Sequence, residues 1–401
     1  MIGPFGLRPK GTVSVRALPM AQALARRGHD VTLLVPSWDW PEDAGRTWNA
    51  DGVRVECLSL PANIPLFFYL VLALRLVRRA VALNPEVIHL FKPKAYPGLA
   101  HWILVARRRL GRRVPRLVLD TDDWEAAWNP VAGYPHWQRL FFTWQERWGL
   151  LHADAVTVAS LKLRELVLEV GVPRERIFYL PNGVRPATAS ALRNSPAGDS
   201  SQASSQAGNE VRLRHSLDQY PLVLLYTRFA EFELSRLVNL IKGLAQQINT
   251  ARWLVVGEGL YGEEKRLASQ LRALGLDQFV VFAGWVPSQE LPHYFAAADV
   301  AAYPFDDTPI NQARCSVKLL DLLGAGVPVV TNSVGQNKTY VLGGETGLLI
   351  PPGDTAAFVS ALAHLLSDET LRWRLGTAAQ GRMLEHFTWS SLVEAAEHAY
   401  R

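Results

Sequence analysis

Short β-branched runs alternate with helical stretches along almost the whole chain, and this constrains the fold more than any other feature. The helical MAQALARR is closed by Gly28-His29-Asp30 and followed at once by VTLLV, and VRVECLSL, VIHLF, LVLD and DAVTVAS recur downstream with helical segments between them. Strands separated by helices pair in parallel and are covered on both faces. MIGPF reads as a short first strand. From Ala187 to about Arg214 the pattern stops in a Ser/Ala/Gln/Gly-rich stretch without periodicity, which reads as a flexible insertion or linker. The alternation then resumes with LVLLYTRF, ARWLVVGEG, FVVFAGW, VAAYPF and VPVVT and ends in a helical tail. The expected architecture is α/β, with two facing doubly wound parallel-sheet domains. Residues 1–186 form the first and 215–380 the second; 187–214 link them, and a tail, 381–401, packs back toward the first. Ligands of such sheets lie at the carboxyl ends of the strands, so an interdomain cleft is the expected site.

Composition agrees with this reading and removes several others. A length of 401 residues fits two domains. Hydrophobic and charged fractions of 49% and 20% exclude a disordered or fibrous chain. Two cysteines, Cys57 and Cys315, exclude a disulfide scaffold and a cysteine-rich zinc module. The longest apolar run, Ile64 to Leu74, is eleven residues, too short to span a bilayer. The amino terminus has no long apolar segment, so a cytoplasmic location is expected. Residues 1–186 carry 25 Lys+Arg against 16 Asp+Glu, the remainder 17 against 21, and nine of thirteen tryptophans fall in the first 150 residues. The two halves are therefore expected to meet different partners. No nucleic-acid motif accompanies the basic half, and a solvated arginine-rich surface accounts for it equally well.

Two short patterns mislead. Gly257-Glu258-Gly259-Leu260-Tyr261-Gly262 matches the dinucleotide fingerprint, but it does not follow the first strand of its domain, and Asp277 precedes the next strand instead of ending it. Asp120-Thr121-Asp122, continued by Asp123-Trp124-Glu125, places four carboxylates at a strand's end. They could hold a hard cation, act as a base or bind sugar hydroxyls, or simply cap a helix. Gly11-Thr12 opens the helix of residues 13–26, where backbone N–H groups can approach a phosphate. KLLDLLGAGVPVV is more specific. Lys318 and Asp321 share a helix face, Gly324 and Gly326 end the helix, and VPVV is a buried parallel strand. That helix start suits a diphosphate with Lys318 and a ribose with Asp321.

Taken together, Gly11, ALARRGHDVTLLV, HADAVTVAS, PNGV at 181–184, Arg228 in LLYTRF, GEG at 257–259, FAGWVP at 282–287, KLLDLLGAGVPVV and ETGLLIPPGD resemble the GT-B-fold glycosyltransferases of family 4. The resemblance covers all of the chain except the Ser/Ala-rich segment. It implies a retaining, metal-independent enzyme without a cofactor, which moves a sugar from a nucleotide-diphosphate donor on the second domain to an acceptor on the first. Arg228 resembles the family's diphosphate-binding arginine, which stabilises the departing phosphate. Gly257 and Glu258 belong to the GEG turn, and Trp285 and Val286 to the loop that contacts the base. Asp321 stands where the family usually places a ribose-binding glutamate, and Gly11 would carry first-domain backbone, with Thr12, to the phosphates.

Three positions depart from the family pattern. Its first glutamate falls on Ala313, the lysine usual shortly after the arginine is missing from Phe229-Ala230-Glu231-Phe232-Glu233, and Asp120-Thr121-Asp122-Asp123 stands in place of a first-domain histidine. Lys318 is expected to replace the missing charge, and Asp122 or Asp123 to act as the acceptor-side acid/base or hydroxyl ligand. The acceptor is expected to be a glycan or lipid-linked. Arg75, Arg78 and Arg79, with Arg107, Arg108, Arg109, Arg112 and Arg113 beside Trp102, could reach an anionic membrane on the inner face of the plasma membrane or form a solvated surface. Rival readings are a nucleotide-sugar epimerase on the same fold, a family member that binds without turnover, and, least favoured, a nucleic-acid binder.

Overall fold

The structure, a computed structural model, describes residues 1–6, 12–38, 40–62, 67–184 and 199–401. Gly11 and the segment 185–198 lie outside them. The chain divides into two compact units. The first comprises Met1–Gly183, Ala313–Cys315 and Trp389–Arg401, and the second Val184–Gln312 and Ser316–Thr388.

In the first unit the β-branched runs become strands β1 (Thr32–Pro36), β3 (Val53–Leu58), β4 (Val87–Phe91), β5 (Arg116–Thr121) and β6 (Ala155–Val158). Two short additions, β2 (Thr47–Ala50) and β7 (Ile177–Tyr179), form the ends of the strand series. β1, β3 and β2 pair in that order, with β2 antiparallel, and β4, β5, β6 and β7 pair in sequence, all parallel. Ile2 joins the two sets, bridging Leu34 on one side and Leu90 on the other, with its N–H donating to His89 O at 2.8 Å. The first strand therefore lies at the centre, and the chain reverses direction of travel between it and β4. Such a switch point is where an open parallel sheet leaves a crevice at its carboxyl edge. The carboxyl end of β4 is Phe91, followed by Lys92.

The helix Trp389–Tyr400 completes this unit. Trp389, Val393 and Ala396 enter the core formed by Val13, Met20, Leu33 and Val55, and the Tyr400 hydroxyl lies 2.9 Å from His89 Nδ1. The rest of the tail is different: the helix Glu369–His386 belongs to the second unit.

The second unit is a six-stranded parallel sheet, β10 (Val280–Gly284), β9 (Arg252–Val256), β8 (Leu222–Tyr226), β11 (Val300–Tyr303), β12 (Val329–Asn332) and β13 (Leu348–Ile350), in that spatial order. Its switch point falls between β8 and β11, so Thr227 and Arg228 occupy the crevice position. The linker expected over 187–214 is corrected for its last part: Asp199–Arg214 is a helix packed on Leu291–Ala296. Val211 is buried there, Arg212 Nε donates to Ala297 O at 2.8 Å, and a Cβ on Gly208 would lie 2.6 Å from Ala296 O. The polar composition concealed a helix held by a few anchors on one face.

A buried ion pair fixes the first unit's sheet to the helix that follows its first strand. Arg16, on the π-helical turn Val13–Ala17, grips Asp120 at the end of β5 through Nε (2.7 Å) and Nη2 (2.6 Å), and both side chains are fully buried. Thr157 Oγ1 donates to the same carboxylate at 2.6 Å, and Arg16 also donates to Asn182 Oδ1 and Leu180 O. This corrects one part of the acidic cluster: Asp120 is taken by Arg16 and is not a ligand for a cation. Removing one partner of a buried pair strands the other charge, so Asp120→Ala is expected to lower stability by about 3–5 kcal/mol. Urea unfolding followed by tryptophan fluorescence reports mainly on this unit; an unchanged midpoint would contradict the role given to the pair.

Candidate functional site

At the switch point of the first unit a lysine sits inside a ring of acids. Lys92 Nζ lies 3.1 Å from Asp122 Oδ1, 3.1 Å from Asp123 Oδ2 and 2.7 Å from Glu125 Oε1. Lys94 pairs with the other oxygen of Glu125 and donates to Asn129 Oδ1 at 3.2 Å. The backbone strains to achieve this: Lys92 has φ +69° and Ala95 φ +54°, a region costly for residues with a Cβ and characteristic of functional sites. Burial alone would discharge Lys92, but Asp122, Glu125 and Asp123 raise its pKa well above the ordinary lysine value.

The three carboxylates are of a type and spacing that could hold a metal, each offering an oxygen within 4.8 Å of the others. Among the described residues their charge is met by an ammonium. They also differ from one another. Burial raises the Glu125 carboxyl, but Lys92 and Lys94 outweigh it and leave the pKa below the usual value. The Asp123 carboxyl is pushed up, by burial and by repulsion from Asp122 and Glu125, against the pull of Lys92. It is also the more accessible of the two aspartates, with 29% of its side chain exposed against 11% for Asp122. Asp123 thus combines reach with raised basicity.

Sequence reasoning missed Lys92, Lys94 and Glu146. Glu146 is buried on the helix His136–His152, and its two oxygens accept the backbone N–H groups of Glu125 (3.1 Å) and Ala126 (2.9 Å). It closes the amino end of the helix Glu125–Val131 and so fixes where Glu125 points. Burial, with the charge of Glu125, pushes its carboxyl up to about 8.

The second unit repeats the device with the charges exchanged. Glu231, buried just past β8, accepts from Thr227 Oγ1 (2.9 Å), Ala230 N (3.0 Å) and Lys318 Nζ (2.9 Å). Phe229 between them has φ +60°, and its N–H donates to Thr227 Oγ1 at 2.7 Å. The turn leaves Arg228 exposed, with no ion pair among the described residues. Lys318, expected to supply a missing charge, is half-buried and shared with Glu231. Asp321, one turn on in the same helix Val317–Gly324, is buried. Ala313, where the family's first glutamate would stand, is buried, and its carbonyl accepts from Ser160 Oγ at 2.7 Å.

Gly257 and Gly284 bring two strand ends close together. Gly257 has φ +114°, a Cβ there would lie 2.0 Å from Thr227 O, and its N–H donates to Gly284 O at 2.8 Å. No other residue fits at that position. Glu258 is exposed and accepts from Trp285 N at 3.3 Å; Trp285 is 69% exposed and the following Val286 is buried. Arg228, Gly257, Glu258 and Trp285 thus cluster at the carboxyl ends of neighbouring strands. In the first unit Thr12 is half-buried just before the turn that carries Arg16.

Residues 11–183 match the model of a glycosyl transferase 4-like domain, and residues 221–368 that of the glycosyl transferases group 1. The GDP-mannose-dependent alpha-(1-6)-phosphatidylinositol monomannoside mannosyltransferase of Mycolicibacterium smegmatis is 27% identical over 373 residues, 90% of this chain and 88% of the relative. The phosphatidyl-myo-inositol mannosyltransferase of Mycobacterium leprae is 25% identical, over 100% of this chain and 95% of its own. The crystal structure of HepE from Anabaena in complex with UDP-glucose superposes with a TM-score of 0.71 at 19% identity, covering 99% of this chain and 97% of that one, a likeness of fold.

Between about pH 4.5 and about pH 8 folded Glu146 holds a proton that the unfolded chain releases, so its contribution makes stability fall as pH rises through that window. Glu146→Gln keeps a neutral side chain at every pH. The wild-type melting temperature is therefore expected to fall by roughly 5–10 °C relative to the variant between about pH 6 and about pH 9. Parallel pH profiles in differential scanning fluorimetry would show that Glu146 is ionised in the fold.

Proposed function

The chain belongs to the family 4 glycosyltransferases, nucleotide-sugar enzymes of the GT-B fold, and from that premise we propose a retaining hexosyl transfer to a glycan or lipid-linked acceptor without a divalent cation. The second unit takes the donor and the first the acceptor. The observation that carries this is Arg228, an exposed guanidinium at the β8 switch point on a turn locked by Glu231. Two oxygens of a diphosphate match its planar fork, and the charge favours the leaving group as the glycosidic bond breaks. Lys318, held at 2.9 Å from Glu231, adds a second positive centre.

In the proposed step the bond from the anomeric carbon to the diphosphate oxygen breaks, and its electron pair leaves with the diphosphate. The acceptor oxygen bonds to the same face of that carbon, and its proton passes to the Asp123 carboxylate. Asp123 suits this role because it is reachable and more basic than an ordinary carboxylate. Asp122 is the less exposed partner that, with Glu125, holds Lys92. Metal independence is supported by the Lys92 ammonium, which supplies positive charge to all three carboxylates. The exposed Trp285 offers a flat surface beside Gly284 for the base. The names of the mycobacterial relatives make GDP-mannose the first donor to test and an inositol-bearing lipid the first acceptor.

Arg228→Ala is expected to weaken nucleoside diphosphate binding by at least about tenfold in calorimetric titrations with GDP and UDP, with Arg228→Lys in between. Unchanged affinity would remove Arg228 from the donor site. Asp123→Asn is expected to lower kcat about 100-fold or more while leaving nucleotide affinity intact. A full-rate variant would pass the acceptor role to another group.

A further inference from the structure

A three-residue strap from far along the chain is built into the first unit beside the acid cluster. Ala313–Cys315 belongs to that unit, although the residues on either side of it belong to the second. Ser160 Oγ donates to Ala313 O at 2.7 Å. Asn182 donates to Cys315 twice, through its backbone N to Sγ at 3.2 Å and through Nδ2 to the carbonyl at 2.9 Å. Asn182 in turn accepts from Arg16 Nη1 at 3.0 Å, so the strap is fastened to the same buried pair that holds Asp120. Ala313 and Cys315 are buried, and Arg314 between them is half-buried. Its guanidinium lies over the indole of Trp128, 5.2 Å from the ring centroid. Trp128 belongs to the helix Glu125–Val131, which begins directly after the aspartates.

The charge at this corner runs against the family pattern. Where that pattern places a glutamate the chain has Ala313, and a cation follows it. Asp122, Asp123 and Glu125 outnumber Lys92 and Lys94, so these five groups by themselves would repel an anion. Arg314 restores the balance, and its charge reaches Asp123, where it works against the upward push on the carboxyl. Two nearby acids add nothing to the negative side. Asp120 is neutralised by Arg16, and Glu146, pushed up to about 8, carries a proton at neutral pH. Arginine also offers more than balance. A guanidinium resting on an aromatic face is held in place while its N–H donors remain at its rim, where two of them match two oxygens of a phosphate or carboxylate. A lysine would balance the charge equally well but lacks that fork.

We infer that Arg314, seated on Trp128, reads an anionic group, phosphate or carboxylate, that the acceptor carries near the hydroxyl deprotonated by Asp123. This rests on the reading of Asp123 as the acceptor-side base, and it makes Arg314 a specificity residue for an anionic acceptor. Calorimetric titration of the full chain without donor would compare matched pairs, myo-inositol with myo-inositol 1-phosphate and glucose with glucuronate. In at least one pair the anionic member is expected to bind about tenfold or more tightly than the neutral one. Arg314→Gln should remove that preference, and Arg314→Lys, which keeps the charge without the fork, should retain part of it. An unchanged melting temperature in each variant is the control for folding. The preference should persist in Arg228→Ala. Neutral and anionic members binding alike, a preference that survives Arg314→Gln, or one that is lost in Arg228→Ala instead would overturn the inference. Glycerophosphoinositol separates the two sources of a phosphate: affinity like that of the monoester supports a lipid headgroup, and weaker binding supports a free sugar phosphate. These titrations need no turnover. A chain that binds the anions through Arg314 but transfers no sugar would therefore count against the proposed function and not against the anion site.

Discussion

The ammonium of Lys92 among Asp122, Asp123 and Glu125 is the contact on which the arrangement of the first unit's acids depends. Three carboxylates this close repel one another, and without a cation some would be protonated at neutral pH. The lysine resolves that conflict with a single charge, and Lys94 assists at Glu125. The backbone meets the demand by taking a left-handed conformation at Lys92, directly after β4. The most accessible member, Asp123, is the one whose carboxyl is pushed up, by burial and by Asp122 and Glu125 against the pull of Lys92. The proton-accepting role proposed for Asp123 calls for that combination of reach and basicity.

The second unit solves a related problem with the signs reversed. Glu231 is buried and would be costly alone, yet Lys318, Thr227 and the backbone of Ala230 satisfy it. The loop it organises then presents Arg228 outward from a turn whose strained residue is Phe229. In both units strain at the carboxyl end of a central strand accompanies a fixed charge, as expected where a rigid sheet has to hold a charged group without relaxation.

Much of the fold was legible because buried parallel strands are written as β-branched runs, and ten strands coincide with such runs. β2 (TWNA), β7 (IFY) and β13 (LLI) contain no β-branched run and so did not stand out. The helix Asp199–Arg214 was hidden by its Ser and Gln content, since Val211 and Arg212 supply its anchors and such anchors leave no periodic trace. The site was legible only by halves. Arg228 and Asp123 were visible as charged residues after apolar strands, whereas the ion pairs that shape the segments around them join residues far apart in the chain: Arg16 lies 104 residues from Asp120, and Lys318 87 from Glu231. Lys92 and Lys94 did leave a signal, a lysine pair directly after VIHLF, but it reads as an ordinary polar loop until the topology makes β4 the switch strand. Glu146 left none, because a glutamate inside a helix is commonplace until its burial is known.

The central claim is that lysine, rather than a metal ion, balances the acceptor-side acids while Arg228 and Lys318 carry the leaving diphosphate. The most direct measurement is release of nucleoside diphosphate from GDP-mannose and UDP-glucose in the presence of a lipid-linked acceptor, with EDTA and then with Mn²⁺ in excess. A metal-free site predicts the same rate, within about twofold, under both conditions. Turnover abolished by EDTA and restored by Mn²⁺ would contradict it and return Asp122, Asp123 and Glu125 to the role of metal ligands.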